Sequence, residues 1–306
     1  VFPAVLSTLL FAISVACGYR SSKIIGGAEA NLWRLASGAV CLGVWAYVFG
    51  MGLSGSGFPI FLLSGIVGIG LGDFALFQAL PRLGARLSSL LIQCCNAPFG
   101  AIIEWAWLGT SLNLRQILSI LVIIAGVALA LAPGQNLHLA KRTKNIGIAF
   151  CVLAAFGNAF GAVLTRKAYD VARVYGDAPD GGTAAFQRIL GGLLLAAVIV
   201  LFLKRQAFRV QKNAPRALVL EASARKWRAA WPWIFVNSLA GQTLGVSCMQ
   251  WALETTPTGI VLAIMAITPI TIIPVSYILE KERPTLHTFA GAAVAVAGVI
   301  ALTLSR

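Results

Sequence analysis

The sequence predicts an all-α polytopic membrane protein: ten transmembrane helices forming two inverted five-helix repeats around a central cavity. Three observations predict it. Of 306 residues, 58% are hydrophobic and only 11% charged, and the mean hydropathy is +0.85. A soluble domain needs roughly 25% charged residues to cover its surface. The apolar residues come in blocks of about 20, the length that crosses a bilayer, and not in amphipathic stripes. Finally, short signatures recur in the same order in the two halves of the chain.

The blocks place spans over 1–18, 29–50, 58–80, 85–108 and 114–132, then 146–168, 183–203, 231–253, 258–280 and 285–304. Backbone polar groups in lipid must be satisfied internally, which a helix does within one segment. Blocks this long, without alternation, exclude a β-barrel. The first repeat covers 1–132 and the second 146–306, with 133–145 as the central connection. A second long connection is expected over 204–230.

Taken in order, the spans carry the repeat. Trp33-Arg34-Leu35 opens span two, and Gln187-Arg188-Ile189 opens span seven. Leu71-Gly72 precedes Ala79-Leu80 in span three, and Leu244-Gly245 precedes Ala252-Leu253 at the same interval in span eight. Gly65, Gly68 and Gly72 in span three, with Gly241 and Gly245 in span eight, make small faces for close helix contact. Pro98 in span four, and Pro269 and Pro274 in span nine, each remove a backbone hydrogen bond and should bend those helices beside the cavity. Ala125-Gly126-Val127 in span five returns as Ala297-Gly298-Val299 in span ten. Five helices per copy is an odd number, so the second copy enters the membrane inverted. Secondary transporters commonly share this plan, with the substrate site near the midplane.

The run Leu279-Glu280-Lys281-Glu282-Arg283-Pro284-Thr285, followed by Gly291 and Ala297-Gly298-Val299, resembles the end of an EamA-type domain. That family belongs to the drug/metabolite transporter superfamily. The first half holds a weaker copy, Leu108-Gly109-Thr110 and then Ala125-Gly126-Val127, with Thr110 where Glu282 stands in the second half. The resemblance spans nearly the whole chain. It implies a ten-helix basket around a central cavity that moves amino acids, nucleotide sugars, other metabolites or drugs, with a lean towards export. It does not choose among them.

The net charge of +14 would suit nucleic acid if the charges were clustered on one folded surface. They sit instead in connections between apolar blocks, so no nucleic-acid partner is expected. The first, third, fifth, seventh and ninth connections, with Arg34, hold eighteen basic residues against five on the opposite side. Positive loops stay cytoplasmic. The reading is therefore a multi-pass protein of the cell membrane, of the bacterial inner-membrane kind. Its 204–230 segment is cytoplasmic and its termini are non-cytoplasmic. That basic segment could also meet anionic lipid headgroups. The six cysteines fall inside the spans, with neither metal-ligand spacing nor a disulfide framework.

A charged side chain deep in a bilayer costs at least about 2.5 kcal/mol, so each needs a reason. Asp73 lies well inside span three, on one helix face with Gly70 and Phe77. Glu104 lies toward the end of span four. The repeat puts Val246 opposite Asp73 and Ser276 opposite Glu104, so the scaffold does not demand either acid. That favours a site role: proton exchange, or a hold on a cationic substrate group. Arg34 and Arg188 occur in both copies, as structural guanidiniums or as forks for a substrate carboxylate or phosphate. Gln93, Asn96, Asn158, Gln242 and Gln250 are candidate cavity-lining polar residues or helix glue. Phe77 and Trp251 are wall or packing aromatics.

The leading expectation is a secondary transporter of a small polar metabolite, such as an amino acid, working by alternating access with protons as a candidate coupling ion. No ATP-binding motif and no cofactor motif is present. A membrane enzyme is disfavoured by having only His138 and His287, with no clustered acid–base set. A channel or receptor-like scaffold is the third reading, and the inverted repeat argues against a static pore.

Overall fold

The computed structural model describes residues 2–108, 113–131, 140–210, 216–255, 265, 268–280 and 286–304. Among these residues there are helices and short connections and no strand. The first half comprises α1 (Phe2–Ile25), α2 (Gly27–Val48), α3 (Phe58–Ser64), a π-helical stretch (Gly65–Asp73), α4 (Phe74–Leu108) and α5 (Leu114–Leu131). The second comprises α6 (Lys141–Tyr175), α7 (Gly181–Val210), α8 (Arg216–Asn237), another π-helical stretch (Ser238–Gly245), α9 (Val246–Thr255), α10 (Thr268–Glu280) and α11 (Leu286–Leu304).

Spans three and four meet inside α4 at Gly84, whose φ of 82° and ψ of 166° turn the chain. Only glycine holds that backbone cheaply. Among the described residues four helical segments are long and apolar enough to cross a membrane: Phe2–Ile25, Phe58–Gly100, Lys141–Tyr175 and Gly181–Arg205. Leu114–Gly126 and Phe289–Leu302 are shorter apolar helices. Leu194, Val198 and Leu201 lie along one face of α7 and are 58–62% exposed, as a lipid-facing stripe should be. The chain is a multi-pass membrane protein.

Two expectations change. The described part of the 204–230 segment is helical: α7 continues to Val210 and α8 is described from Arg216. Similarly, α6 runs from Lys141 to Tyr175, well beyond the expected 146–168. Hydropathy marks only the part of a helix that suits lipid, whereas Ala, Leu, Arg, Lys and Glu, good helix formers all, extend it into water. The bend expected at Pro269 adjoins residues 266–267, which lie outside the described residues. Pro98 and Pro274 do lie within helices, as do Pro81 and Pro232.

Packing respects the repeat. α1 packs on α8, the second π stretch and α10 as α6 packs on α3, the first π stretch and α4; α2 packs on α7, and α5 on α11. Exchanging the halves exchanges these pairs. α2 and α7 run antiparallel: Glu29 at the start of α2 meets Lys204 near the end of α7 at 3.1 Å. At the other end, Trp45 Nε1 donates to Asp180, just before α7, at 3.0 Å.

That second end is a latch between the halves. Ser56 donates its N–H (2.8 Å) and hydroxyl (2.7 Å) to Asp177, and Gln187 Nε2 donates to the carbonyls of Gly52 and Ser54. Asp180 also accepts from the N–H groups of Gly182 and Thr183 and from the Thr183 hydroxyl, capping α7. The Ser56 hydroxyl and N–H hold the Asp177 carboxyl below its ordinary value. At Asp180 burial pushes upward, but the hydrogen bonds from Thr183, Trp45 and Gly182 outweigh it and the net shift is downward. Carboxylates with depressed values contribute stability above their unfolded pKa and lose it as pH falls through the folded one. Thermal unfolding in detergent should therefore be insensitive to the latch between pH 8 and 5. It should weaken below about pH 4, and less so in Asp177→Asn. A latch-dependent loss already complete at pH 6 would contradict this.

Candidate functional site

A buried ion pair joins α2 to the last residue of the first π stretch, where α4 begins. Arg34 Nη2 donates to Asp73 Oδ2 at 2.6 Å and to Asn31 Oδ1 at 2.9 Å, and the guanidinium lies 4.8 Å over the Phe77 ring. Arg34 is 4% and Asp73 9% exposed, so each is the other's main substitute for water. From the second half, Gln242 Nε2 reaches the same Asp73 oxygen at 3.3 Å. Arg34, Asp73, Phe77 and Gln242, four residues singled out from sequence, form one cluster across both halves. Asn31 was missed; its signal was a position one turn before Arg34 on the same face.

The cluster has more donors than acceptors. Asn31 Nδ2, Arg34 Nε and Ser238 Oγ are buried without a hydrogen-bond partner among the described residues. Ser238 comes close, since a Cβ on Gly38, one turn beyond Arg34, would lie 3.2 Å from its hydroxyl and 3.0 Å from Gln242 Cβ. Buried orphan donors are costly, and an acceptor entering here would satisfy them.

Arg188, the repeat partner of Arg34, is 7% exposed and donates through Nε to Ser64 Oγ at 3.1 Å. Ser64 in turn meets Thr165 Oγ1 and the Gly161 carbonyl, both at 2.7 Å. Gln93 and Asn96 bond to each other at 3.2 Å on span four. Asn158 packs where Gly72 leaves room, a Cβ there coming within 3.3 Å of its Cγ. Tyr169 OH lies 3.5 Å from Gln250 Oε1. Trp251 is 53% exposed and apart from the ion pair. The side chains of Glu104 and Pro269, and the residues Thr110 and 281–285, lie outside the described residues. Among the described residues no three His, Cys, Asp or Glu side chains could hold a metal.

The two π-helical stretches were invisible in the sequence. Gly65 stands six residues before Leu71-Gly72, and Ser238 six before Leu244-Gly245. They occupy the same place in the two repeats. π-helical turns are rare and concentrate at functional sites. Here the first carries Asp73 and the second Gln242.

The model of the EamA-like transporter family matches residues 1–132 and again 145–304. The chain belongs to that family. A crystal structure of another protein matches this EamA-like chain with a TM-score of 0.66, covering 99% of it and 98% of the other chain at 14% identity. That likeness is one of fold. No curated protein matches the sequence. This EamA-like protein therefore carries a transporter family's two repeats, with the Arg34–Asp73 pair bonded across them by Gln242.

Proposed function

We propose that the protein is a secondary transporter of a small polar metabolite such as an amino acid, working by alternating access. Ten transmembrane helices form two inverted five-helix halves, with domain limits at 1–132 and 146–306 and the substrate path between them. The observation that carries this reading is the Arg34–Asp73 pair, buried in the first half and reached by Gln242 from the second. An isolated charge at such depth is expensive, so the Asp73 carboxylate calls for a cation beside it. A substrate ammonium can replace Arg34, or a proton can neutralise Asp73. Either exchange frees the guanidinium and loosens the contact between halves. The antiparallel α2 and α7, latched at one end by Asp177 and Asp180 and at the other by Glu29 and Lys204, are the elements such a change would tilt. The paired π stretches are where the helices can rewind. Export is the proposed direction, with the basic residues from Lys204 to Arg228 cytoplasmic and the Asp177–Asp180 latch outside.

Reconstituted protein should show saturable counterflow with at least one member of an amino-acid and metabolite panel, driven or modulated by a pH gradient. Conductance without saturation would indicate a channel instead, and product turnover an enzyme. Orientation is read separately: single cysteines at 204–230 should resist an impermeant reagent in intact cells, and those at 176–180 should react. The opposite pattern would reverse the assignment.

A further inference from the structure

Span four carries a second polar feature, away from the ion pair. Counting 100° per residue from the turn at Gly84, Arg86, Ser89, Gln93, Asn96 and Gly100 fall on one stripe of the helix. Ala85 borders the stripe on one side and belongs to a cluster with Ile272 of α10. Leu90 borders it on the other and clusters with Cys151 and Ala154 of α6. Both neighbours are second-half helices, so the stripe faces the space between the halves.

Several of its polar atoms are not satisfied. Arg86 Nε and Nη1, Ser89 Oγ and Asn96 Oδ1 are buried with no hydrogen-bond partner among the described residues; so is Ser88 Oγ, beside the stripe. Ser89 is 3% exposed. The contrast with nearby arginines is direct. Arg82, just before Gly84, donates to the Gln78 carbonyl and to its Oε1 and lies over Phe150 at 5.3 Å. Arg34 has Asp73, and Arg188 has Ser64. At Gly100, further along the stripe, an added Cβ would meet nothing among the described residues within 4 Å.

We infer that Arg86 and Ser89 form an anion subsite that takes the carboxylate of the transported solute, with the Gln93–Asn96 pair next along its path. This rests on the transport reading and narrows its substrate class to carboxylate-bearing solutes. The unengaged Nε–H and Nη1–H groups of this guanidinium can each donate to a carboxylate oxygen, and the Ser89 hydroxyl adds a further donor. The position fits an entrance. Arg86 lies about 3 Å along the helix axis from Gly84 and Asn96 about 18 Å, at 1.5 Å per residue. Asp73 lies about 16 Å from Gly84 along the preceding span by the same measure. One small amino acid cannot touch Arg86 and Asp73 together, so the carboxylate binds first at Arg86 and the solute then moves to the depth of Asp73.

The test uses purified full-length protein with amino acids and their decarboxylated amines as paired probes, read by thermal shift and by counterflow in proteoliposomes. Wild type should be stabilised by at least one amino acid and not by its amine. In Arg86→Gln, with unchanged size-exclusion profile, half-saturation should rise roughly tenfold or more, as expected for losing one partner of a buried charge pair. Arg86→Lys, which keeps the charge but not the fork, should fall between. Equal stabilisation by acid and amine, or an Arg86→Gln affinity equal to wild type, would overturn the inference. So would stabilisation by chloride alone to the same extent as any carboxylate, which would make this an adventitious ion only. Counterflow of an uncharged or cationic solute unaffected by Arg86→Gln would overturn the subsite and leave the transporter standing. Carboxylate stabilisation without any counterflow would uphold the subsite and remove the transport reading.

Discussion

Arg34→Gln should cost about 3 kcal/mol of stability, and the double variant Arg34→Gln/Asp73→Asn should recover most of that loss. The asymmetry follows from burial. Removing one member of a buried pair strands the other charge, at about 3–5 kcal/mol, whereas removing both can be close to neutral. Among the described residues Asp73 would keep one hydrogen bond, from Gln242 at 3.3 Å, and the more distant charge of Arg188, which already donates to Ser64. Asp73→Asn should be milder than Arg34→Gln, because Arg34 keeps Asn31 and the Phe77 face. Function should separate from folding. The double variant, although folded, should lose pH-driven accumulation and show weakened affinity for amine-bearing solutes. Thermal unfolding of the four proteins forms the cycle, and strictly additive losses would mean that the two charges do not act on each other.

How much of this was legible beforehand can be seen in the same residues. Asp73 and Arg34 stood out because charge is expensive within an apolar block, and that argument needs no structure. Their pairing was not legible. They lie on different spans, and whether they meet depends on how closely α2 approaches the π stretch. The repeat showed that Val246 replaces Asp73 opposite Arg188. It could not show the consequence: Val246 packs in an apolar cluster with Ile189, and Arg188 turns to Ser64 of the other half. Arg86 was counted only as a topology charge because it sits at the edge of a span. Its unsatisfied nitrogens emerge only when its neighbours are placed. The helix extensions around 204–230 were lost to hydropathy for the opposite reason, since helix propensity there acts outside the apolar block.

Gly65→Ala should be the most damaging added methyl among the described glycines, at about 3 kcal/mol, while Ser238→Ala at the matching place in the other repeat should be neutral or slightly stabilising. A Cβ on Gly65 would run into the backbone carbonyl of Arg188, and one on Gly191 into the carbonyl of Leu62. Neither obstacle is a flexible side-chain tip, so the first π stretch and α7 would have to part. Overpacking of this kind costs about 1–3 kcal/mol and sometimes more. It would also pull Arg188 from Ser64 and Gln187 from the Gly52 carbonyl. The other repeat already carries a side chain at this point. Ser238 faces α2 near Gly38, and its buried hydroxyl has no partner among the described residues. Replacing it with alanine removes an unsatisfied group, which is nearly free or favourable. The first crossing thus brings backbone against backbone, whereas the second holds the Ser238 side chain beside α2, next to Gln242. Denaturant unfolding of the two variants in detergent measures the difference directly. Equal destabilisation at both sites would mean that the crossings are equally tight, and that the second half has no looser contact on which movement around Asp73 could draw.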